Sequence, residues 1–322
     1  MSKQSWRGST LLNPEPPVLV SCGGLDHPNL ITIGWTGTIC TQPSMVSISV
    51  RPERYSHQLL CERGQFAINL PTEKLVRAID WCGVKSGREV DKFAACGLHA
   101  APGSVLTDCP HREKLGWLEE AHLMQYSVQY RYNLARLYEK TFNDMRSTQA
   151  ANGMIPTIAP ELVEFEGGFK DTPEWGSTFV ISPWYIYQWY GDTRPIETYY
   201  PDMQRYIDYL SSKADNHIIA YGLGDWFDIG PESPGESQLT SNGVTATAIY
   251  YYDVTLMEKM ANLLGKPDDA RKYQELAARI KQAFNRTFWN PSTRTYDRNS
   301  QAANAVALYM GLTTPENRQQ VF

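Results

Sequence analysis

The sequence has no run approaching the ~20 apolar residues of a membrane-spanning helix, and its opening MSKQSWRGSTLLNPEPP lacks the apolar stretch of a secretory leader. Both absences lead us to expect a cytoplasmic protein. Nor is there a surplus of basic residues: 30 Lys and Arg stand against 35 Asp and Glu, a net charge of −5. Without a basic field, neither nucleic acid nor an anionic membrane is an expected partner. Cysteine is scarce. The six (Cys22, Cys40, Cys61, Cys82, Cys96, Cys109) are irregularly spaced and end at Cys109, which argues against a disulfide scaffold and for a reducing compartment. Cys96-x-x-His99 followed by Cys109-x-His111 fits no usual zinc spacing, so no metal is expected. Walker and Rossmann glycine motifs are also absent.

What is present divides in two. From Pro17 to about Leu70, short β-rich runs (VLVSC, LITIGWTGTIC, MVSISV, FAINL) are separated by turn residues, with one short helix expected from Arg54 to Arg63. In MVSISV, Met45, Ser47 and Ser49 share one face and Val46, Ile48 and Val50 the other, the period of a half-buried strand. After Leu115 the period becomes helical, as in LARLYEKTFNDMRSTQ, PDMQRYIDYLSSKAD and PDDARKYQELAARIKQAFNRTFW. Between the helices lie long loops rich in Gly, Pro, Trp and acids. No low-complexity linker separates the parts. Most of the 9 Trp and 19 Tyr fall in the second part. Flat aromatic faces suit sugar rings, yet aromatics at helical spacing are more often plain core.

Four collinear blocks in the first part resemble the flavin reductase or flavoredoxin family: NLITIGWTGTIC (Asn29 to Cys40), PSMVSISVRPERYSHQLL (Pro43 to Leu60), GQFAINLPTE (Gly64 to Glu73) and CGVKSGREVDKF (Cys82 to Phe93). That family has an FMN-binding split barrel. FMN needs a flat wall for its ring and donors for its phosphate. Thr32, Thr36, Ser49, Arg51, Arg54 and Ser56 supply polar groups, and Trp35 is expected to flank the ring, although each also reads as an ordinary strand or core residue.

The second part resembles the family-78 glycoside hydrolases, the α-L-rhamnosidases, on TDCPHREKLGWLEEAH (Thr107 to His122), NGMIPTIAPE (Asn152 to Glu161), EGGFKDTPEWGSTFVISPWYIYQWYGD (Glu166 to Asp192), GDWFDIG (Gly224 to Gly230) and QAANAVALYMGL (Gln301 to Leu312). Their catalytic domain is an (α/α)₆ barrel. Glycoside cleavage needs one carboxyl to protonate the leaving oxygen and a second to activate water or attack the anomeric carbon, so clustered acids are expected. By resemblance Glu113 matches the general acid, Asp108, Arg112 and Glu120 the groups that hold rhamnose hydroxyls, and Trp117, Trp175 and Trp226 the walls of the pocket. The family often carries Gly-Asp where this chain has Glu119-Glu120. Asp171, Glu174, Asp225 and Asp228 are further acids in the aromatic loops that read as hydroxyl ligands or, less readily, as a calcium site.

The expected fold is therefore two-domain α+β: a partial split barrel over residues 1–104, then a partial (α/α)₆ toroid over 105–322. The family inverts configuration, and its general base lies on a late loop that the resemblance places beyond Phe322, so impaired catalysis is expected. The candidate functions are an α-L-rhamnosidase fused to an FMN-binding region, an FMN-dependent oxidoreductase, or an inactive fusion of two gene fragments. The implied partners are a rhamnoside and a flavin; oligomeric state is left open.

Overall fold

The computed structural model describes residues 17–24, 27–41, 44–98, 112–113 and 115–321. Asp108, Cys109 and the histidines His99 and His111 lie outside them. The chain divides into two compact units, Met1–Gly103 and Ser104–Phe322.

The first unit is built on β1 (Val18–Cys22), β2 (Asn29–Ile33), β3 (Thr36–Thr41), β4 (Ser44–Ile48), α1 (Tyr55–Arg63), β5 (Ala67–Asn69), α2 (Val76–Val84) and α3 (Lys92–Cys96). Strand β1 is central in an antiparallel sheet of order β2-β1-β5, with Val20 opposite both Ile31 and Ile68. Both faces of β1 are covered, which explains its unbroken apolar sequence. Val18 and Val20 pack with Ile31, Ile33 and Ile68, while Leu19 packs with Leu30, Cys82 and Phe93 under the helices. The run LITIGWTGTIC is two strands, not one. It breaks at Gly34-Trp35, where the chain leaves the β1 sheet and β3 pairs with β4 instead. Alternation in MVSISV holds in part: Ile48 and Val50 meet the core, but Val46 is exposed. Helix α1 starts after Arg54, as its turn signals predict. Helix α3 is capped by Asp91, whose Oδ1 accepts from Phe93 N at 2.9 Å and Ala94 N at 3.0 Å.

The second unit is helical: α4 (Leu118–Leu123), α5 (Gln125–Val128), α6 (Ala135–Thr148), α7 (Pro173–Gly176), α8 (Thr178–Tyr190), α9 (Arg194–Lys213), α10 (Asn242–Leu263) and α11 (Pro267–Phe288), then the short strands β6 (Trp289–Asn290) and β7 (Thr295–Tyr296), α12 (Gln301–Tyr309) and α13 (Pro315–Arg318). Helices α6, α9 and α11 bury one stripe each, for example Tyr138, Phe142 and Met145, or Tyr199, Met203, Tyr206 and Leu210. Helix α8 is buried almost all round and contains Pro183, which is why its sequence reads as loop. Helix α10 begins at Asn242, well before the periodic stretch YYYDVTLMEKM, because its first turns are buried on several sides. Tyr138, Tyr206, Tyr250, Tyr273 and Tyr296 are among the largest fully buried side chains, so much of the aromatic excess is core. Close helix approach is enforced at Gly176, where an added Cβ would lie 2.5 Å from the Tyr206 hydroxyl. Among the described residues no helix is long and apolar enough to cross a membrane.

Phe142 is completely buried between α6 and α9 and touches the Tyr138 and Tyr199 rings. Phe142→Ala is expected to cost about 3–5 kcal/mol, read as a lowered denaturation midpoint with an unchanged slope. A loss below about 1 kcal/mol would mean that this core is not packed as described.

Candidate functional site

In the helical unit the site begins just before α4. The segment entering that helix is fixed to residues 157–159 by two main-chain bonds, Leu118 N to Thr157 O at 2.9 Å and Ala159 N to Gly116 O at 3.0 Å. This presents Glu113 and Trp117 together: the indole Nε1–H donates to Glu113 Oε1 at 3.1 Å, and Arg112 Nε lies 3.8 Å from Oε2. Trp117 stacks on Phe165 at 5.4 Å, and its neighbour Phe169 meets the edge of Trp226 at 5.2 Å. Glu113 therefore stands beside a continuous aromatic wall.

A second set of carboxyls, largely enclosed, lies where α4 meets α7. Glu119 and Glu120 occupy the first turn of α4. Helix α4 packs on α7 and α8 through Thr178 Oγ1, which donates to Leu118 O at 2.5 Å, and through His122 Nε2, which is 3.1 Å from Glu174 O. This brings the Glu174 side chain close enough to Glu119 to weaken it as an acid. Glu174 is 7% exposed, and neither of its carboxyl oxygens has a partner within hydrogen-bonding geometry. Burial pushes it up to about 7, opposed only in part by the Thr245 hydroxyl and its own main-chain N–H, with Asp225 adding to the rise. Glu119 is pushed well above the carboxylate range, first by burial and then by Glu174, Glu120 and Asp225. Asp225 is raised by burial and by Asp228.

The four loop acids separate by their bonds. Asp228 accepts from Gln238 N at 3.1 Å and Leu239 N at 2.7 Å, and so closes its own loop. Asp171 accepts from the Tyr209 and Tyr221 hydroxyls, which hold it in a scaffold role. Glu174 and Asp225 join the carboxyl cluster instead. Among the described residues no group of three or more His, Cys, Asp or Glu side chains is arranged to hold a metal ion.

Trp117 and Trp226 are only partly buried and belong to the aromatic wall. Trp175 differs from expectation: it is 2% exposed, part of the helical core, and its indole N–H is buried without a partner. Its ring face is not open to a sugar arriving from solvent. Phe165 and Phe169, which complete the wall, escaped the sequence reading; their four-residue spacing in FEGGF is the signal that could have found them.

In the first unit a cavity of about 120 Å³ is lined by Arg54, Ser56, Lys85, Arg88 and Lys92, among others. Ser56 Oγ accepts from Asn29 Nδ2 at 2.8 Å, and the Arg88 guanidinium lies over the Tyr55 ring at 5.5 Å. Lys92 Nζ donates to Leu30 O at 2.7 Å and Cys82 O at 2.8 Å, and burial lowers its basicity. Of the residues expected to bind a flavin, Arg54 and Ser56 line this cavity; Thr32, Trp35, Thr36, Ser49 and Arg51 do not. Thr32 Oγ1 donates to Ile79 O at 2.5 Å, tying β2 to α2. Trp35 is 49% exposed, and the Thr36 hydroxyl is buried without a partner. The main-chain N–H of Ser49 bonds Trp35 O, and the Arg51 carbonyl accepts from Arg54 N, both at 3.0 Å. Lys85, Arg88 and Lys92 all fall in CGVKSGREVDKF (Cys82 to Phe93), and their spacing matches no phosphate-binding motif.

The buried groups set a pH optimum. Glu174 is raised, so its stabilising neutral form is lost as pH climbs from about 4.5 through about 7, a penalty on the order of 3 kcal/mol above that window. His122 is buried and lowered from 6.5 to about 4, so stability also falls as pH drops through that interval. Glu174→Gln is expected to flatten the alkaline limb and to be more stable than the parent at pH 8 in urea titrations. A variant less stable than the parent there would show that the carboxylate is well tolerated in place.

Residues 87–322 match the bacterial alpha-L-rhamnosidase 6 hairpin glycosidase domain, and residues 11–121 match the flavin reductase like domain. An α-L-rhamnosidase of Streptomyces avermitilis is 32% identical over 211 residues, covering 65% of this chain and 19% of that protein. One from Formosa agariphila is 31% identical over 240 residues, covering 66% and 24%. The solved α-L-rhamnosidase of Dictyoglumus thermophilum superposes with a TM-score of 0.61 at 31% identity, over 69% of this chain and 25% of that one. The chain thus spans about a fifth to a quarter of the length of these relatives. On the span of the first match, the aromatic wall and the acid-bearing segment before α4, the chain belongs to the bacterial α-L-rhamnosidase six-hairpin glycosidase family and carries a flavin reductase-like domain ahead of it.

Proposed function

We propose that the helical unit hydrolyses terminal α-L-rhamnosides with inversion, with Glu113 as the general acid. The observation that carries this reading is the position of Glu113: held by the Trp117 indole N–H, beside the aromatic wall. The wall of Trp117 and Trp226 offers a face to the sugar ring, while Arg112, Glu120 and Asp108 offer groups for its hydroxyls. Trp175 supports this wall from the core. An inverting reaction also requires a second carboxylate about 6.5–9.5 Å from the acid, with water between them. Glu119 is a poor candidate for that base, since burial and its acidic neighbours favour its neutral form. We place the boundary between the two domains after Ser104.

For the first unit the same reading is an FMN site. The cavity is smaller than the roughly 300–1,000 Å³ of a whole-ligand pocket, and its cations and hydroxyl fit a phosphate group. Arg54, Ser56, Lys85 and Arg88 would hold that phosphate, and Trp35 presents an exposed ring to the isoalloxazine. Bound FMN supplies an acceptor and donor of hydride or single electrons.

The hydrolase reading is tested with an aryl α-L-rhamnoside whose aglycone absorbs in the visible. Chromophore release is expected, with the β-anomer of rhamnose seen first by NMR, and Glu113→Gln should slow release by roughly 10²–10⁴-fold. Absence of release by the pure, folded parent chain would remove the proposal. For the first unit, FMN fluorescence should be quenched on titration, and Arg54→Ala should weaken binding by roughly tenfold or more. Unquenched FMN at high protein concentration would rule that site out.

A further inference from the structure

Cys82 and Cys96 meet in the first unit, on two helices that bracket the cavity-lining segment. Their sulfurs are 3.7 Å apart, in van der Waals contact. A disulfide requires about 2.05 Å, so closure needs a movement of less than 2 Å. Cys96 is the last residue of the five-residue α3 and is followed by Gly97 in the left-handed region (φ 64°), a helix end that can shift at little cost. Cys82 is fixed within α2 and is 1% exposed, whereas Cys96 is partly exposed. The other buried or neighbouring thiols are engaged differently: Cys22 Sγ lies on Asn29 and Cys61 Sγ lies 3.8 Å from His57 Nδ1.

We propose that Cys82 and Cys96 form a modification site, a dithiol that low-molecular-weight disulfides of the glutathione class oxidise to an intramolecular disulfide. The partly exposed Cys96 thiolate attacks the small disulfide, breaking its S–S bond and releasing one thiolate. The Cys82 thiolate then attacks Cys96 Sγ, releasing the second. The two protons lost by the cysteines are taken up by the two leaving thiolates, so two cysteine thiols and one small disulfide become one protein disulfide and two small thiols. Burial holds the Cys82 thiol up to about 11, so little of it is thiolate, and its contact with Cys96 Sγ is what lets it serve the second, intramolecular step. The Lys92 ammonium nearby favours the Cys82 thiolate.

The bond would close the loop that carries Lys85, Ser86, Gly87, Arg88 and Lys92. That loop is already pressed onto its surroundings: a Cβ at Gly87 would lie 2.0 Å from Asn29 Oδ1. The oxidised form therefore holds the wall of the cavity in place, independently of what the cavity binds.

The full-length chain is incubated with oxidised glutathione, alkylated and denatured. The parent is expected to lose two of its six thiols and the mass of two hydrogen atoms, and a non-reducing tryptic map should join the peptides bearing Cys82 and Cys96. Cys61→Ser should lose the same pair, whereas Cys96→Ser, checked for native circular dichroism, should form no internal disulfide. Tryptic cleavage of the native protein after Lys85 and Arg88 should slow several-fold on oxidation and recover with dithiothreitol. Six thiols retained, a bond mapped to other cysteines, or a stable glutathione adduct on Cys96 of the parent would each overturn the proposal. An unchanged cleavage rate would overturn the restraint of the cavity wall.

Discussion

Three side chains grip main-chain carbonyls where α4 meets its neighbours, and the rest of the helical unit's chemistry depends on them. Thr178 binds Leu118 O, Tyr138 binds Ala121 O, and His122 binds Glu174 O. Helices of six and four residues cannot stand alone, because their end carbonyls and N–H groups outnumber their internal bonds. Fastened in this way, α4 and α7 bring Glu119 and Glu174 close together and largely out of water. The His122 ring is fully enclosed, and burial keeps it neutral down to low pH although its bond to the Glu174 carbonyl favours the protonated form. The scaffold thus uses a neutral imidazole to hold the main-chain oxygen of a residue whose carboxyl also favours its neutral form.

Much of this architecture was legible in the residues, and the exceptions have identifiable causes. The switch from period two to helical period marked the two units, whereas the contact of Glu113 with Trp117 is made in the segment before α4, where no helical spacing announces it. Helix α8 was hidden by Pro183 and by an apolar surface with no polar stripe to set a phase. The break in LITIGWTGTIC was hidden because a strand that changes partner has the same local pattern as one that does not. Among the acids, composition could not tell Asp171, bonded to two tyrosines, from Glu174, whose enclosed carboxyl is acted on by the Thr245 hydroxyl and by no tyrosine; the difference lies in partners far along the chain. Trp175 shares its segment with Glu174, yet the helix turns its ring into the core.

The two families use their side chains in opposite ways. The helical unit gathers carboxyls and removes them from water, which favours neutral acids able to donate protons. The first unit gathers cations around a small cavity and leaves Arg88 and Lys85 near solvent, which favours an anion. Their family matches overlap across residues 87–121. A chain with net charge −5 can therefore still carry a locally basic pocket, and overall charge is no guide to what that pocket prefers.

Because the three donors hold main-chain oxygens, these bonds do not depend on which side chains stand at Leu118, Ala121 and Glu174, although Leu118 also packs in the core. Replacing the carboxyl at 174 leaves its carbonyl, and hence the grip of His122, in place. A junction fastened through main-chain oxygens, which every residue type supplies, keeps its hydrogen bonds when the side chains carried beside those oxygens change.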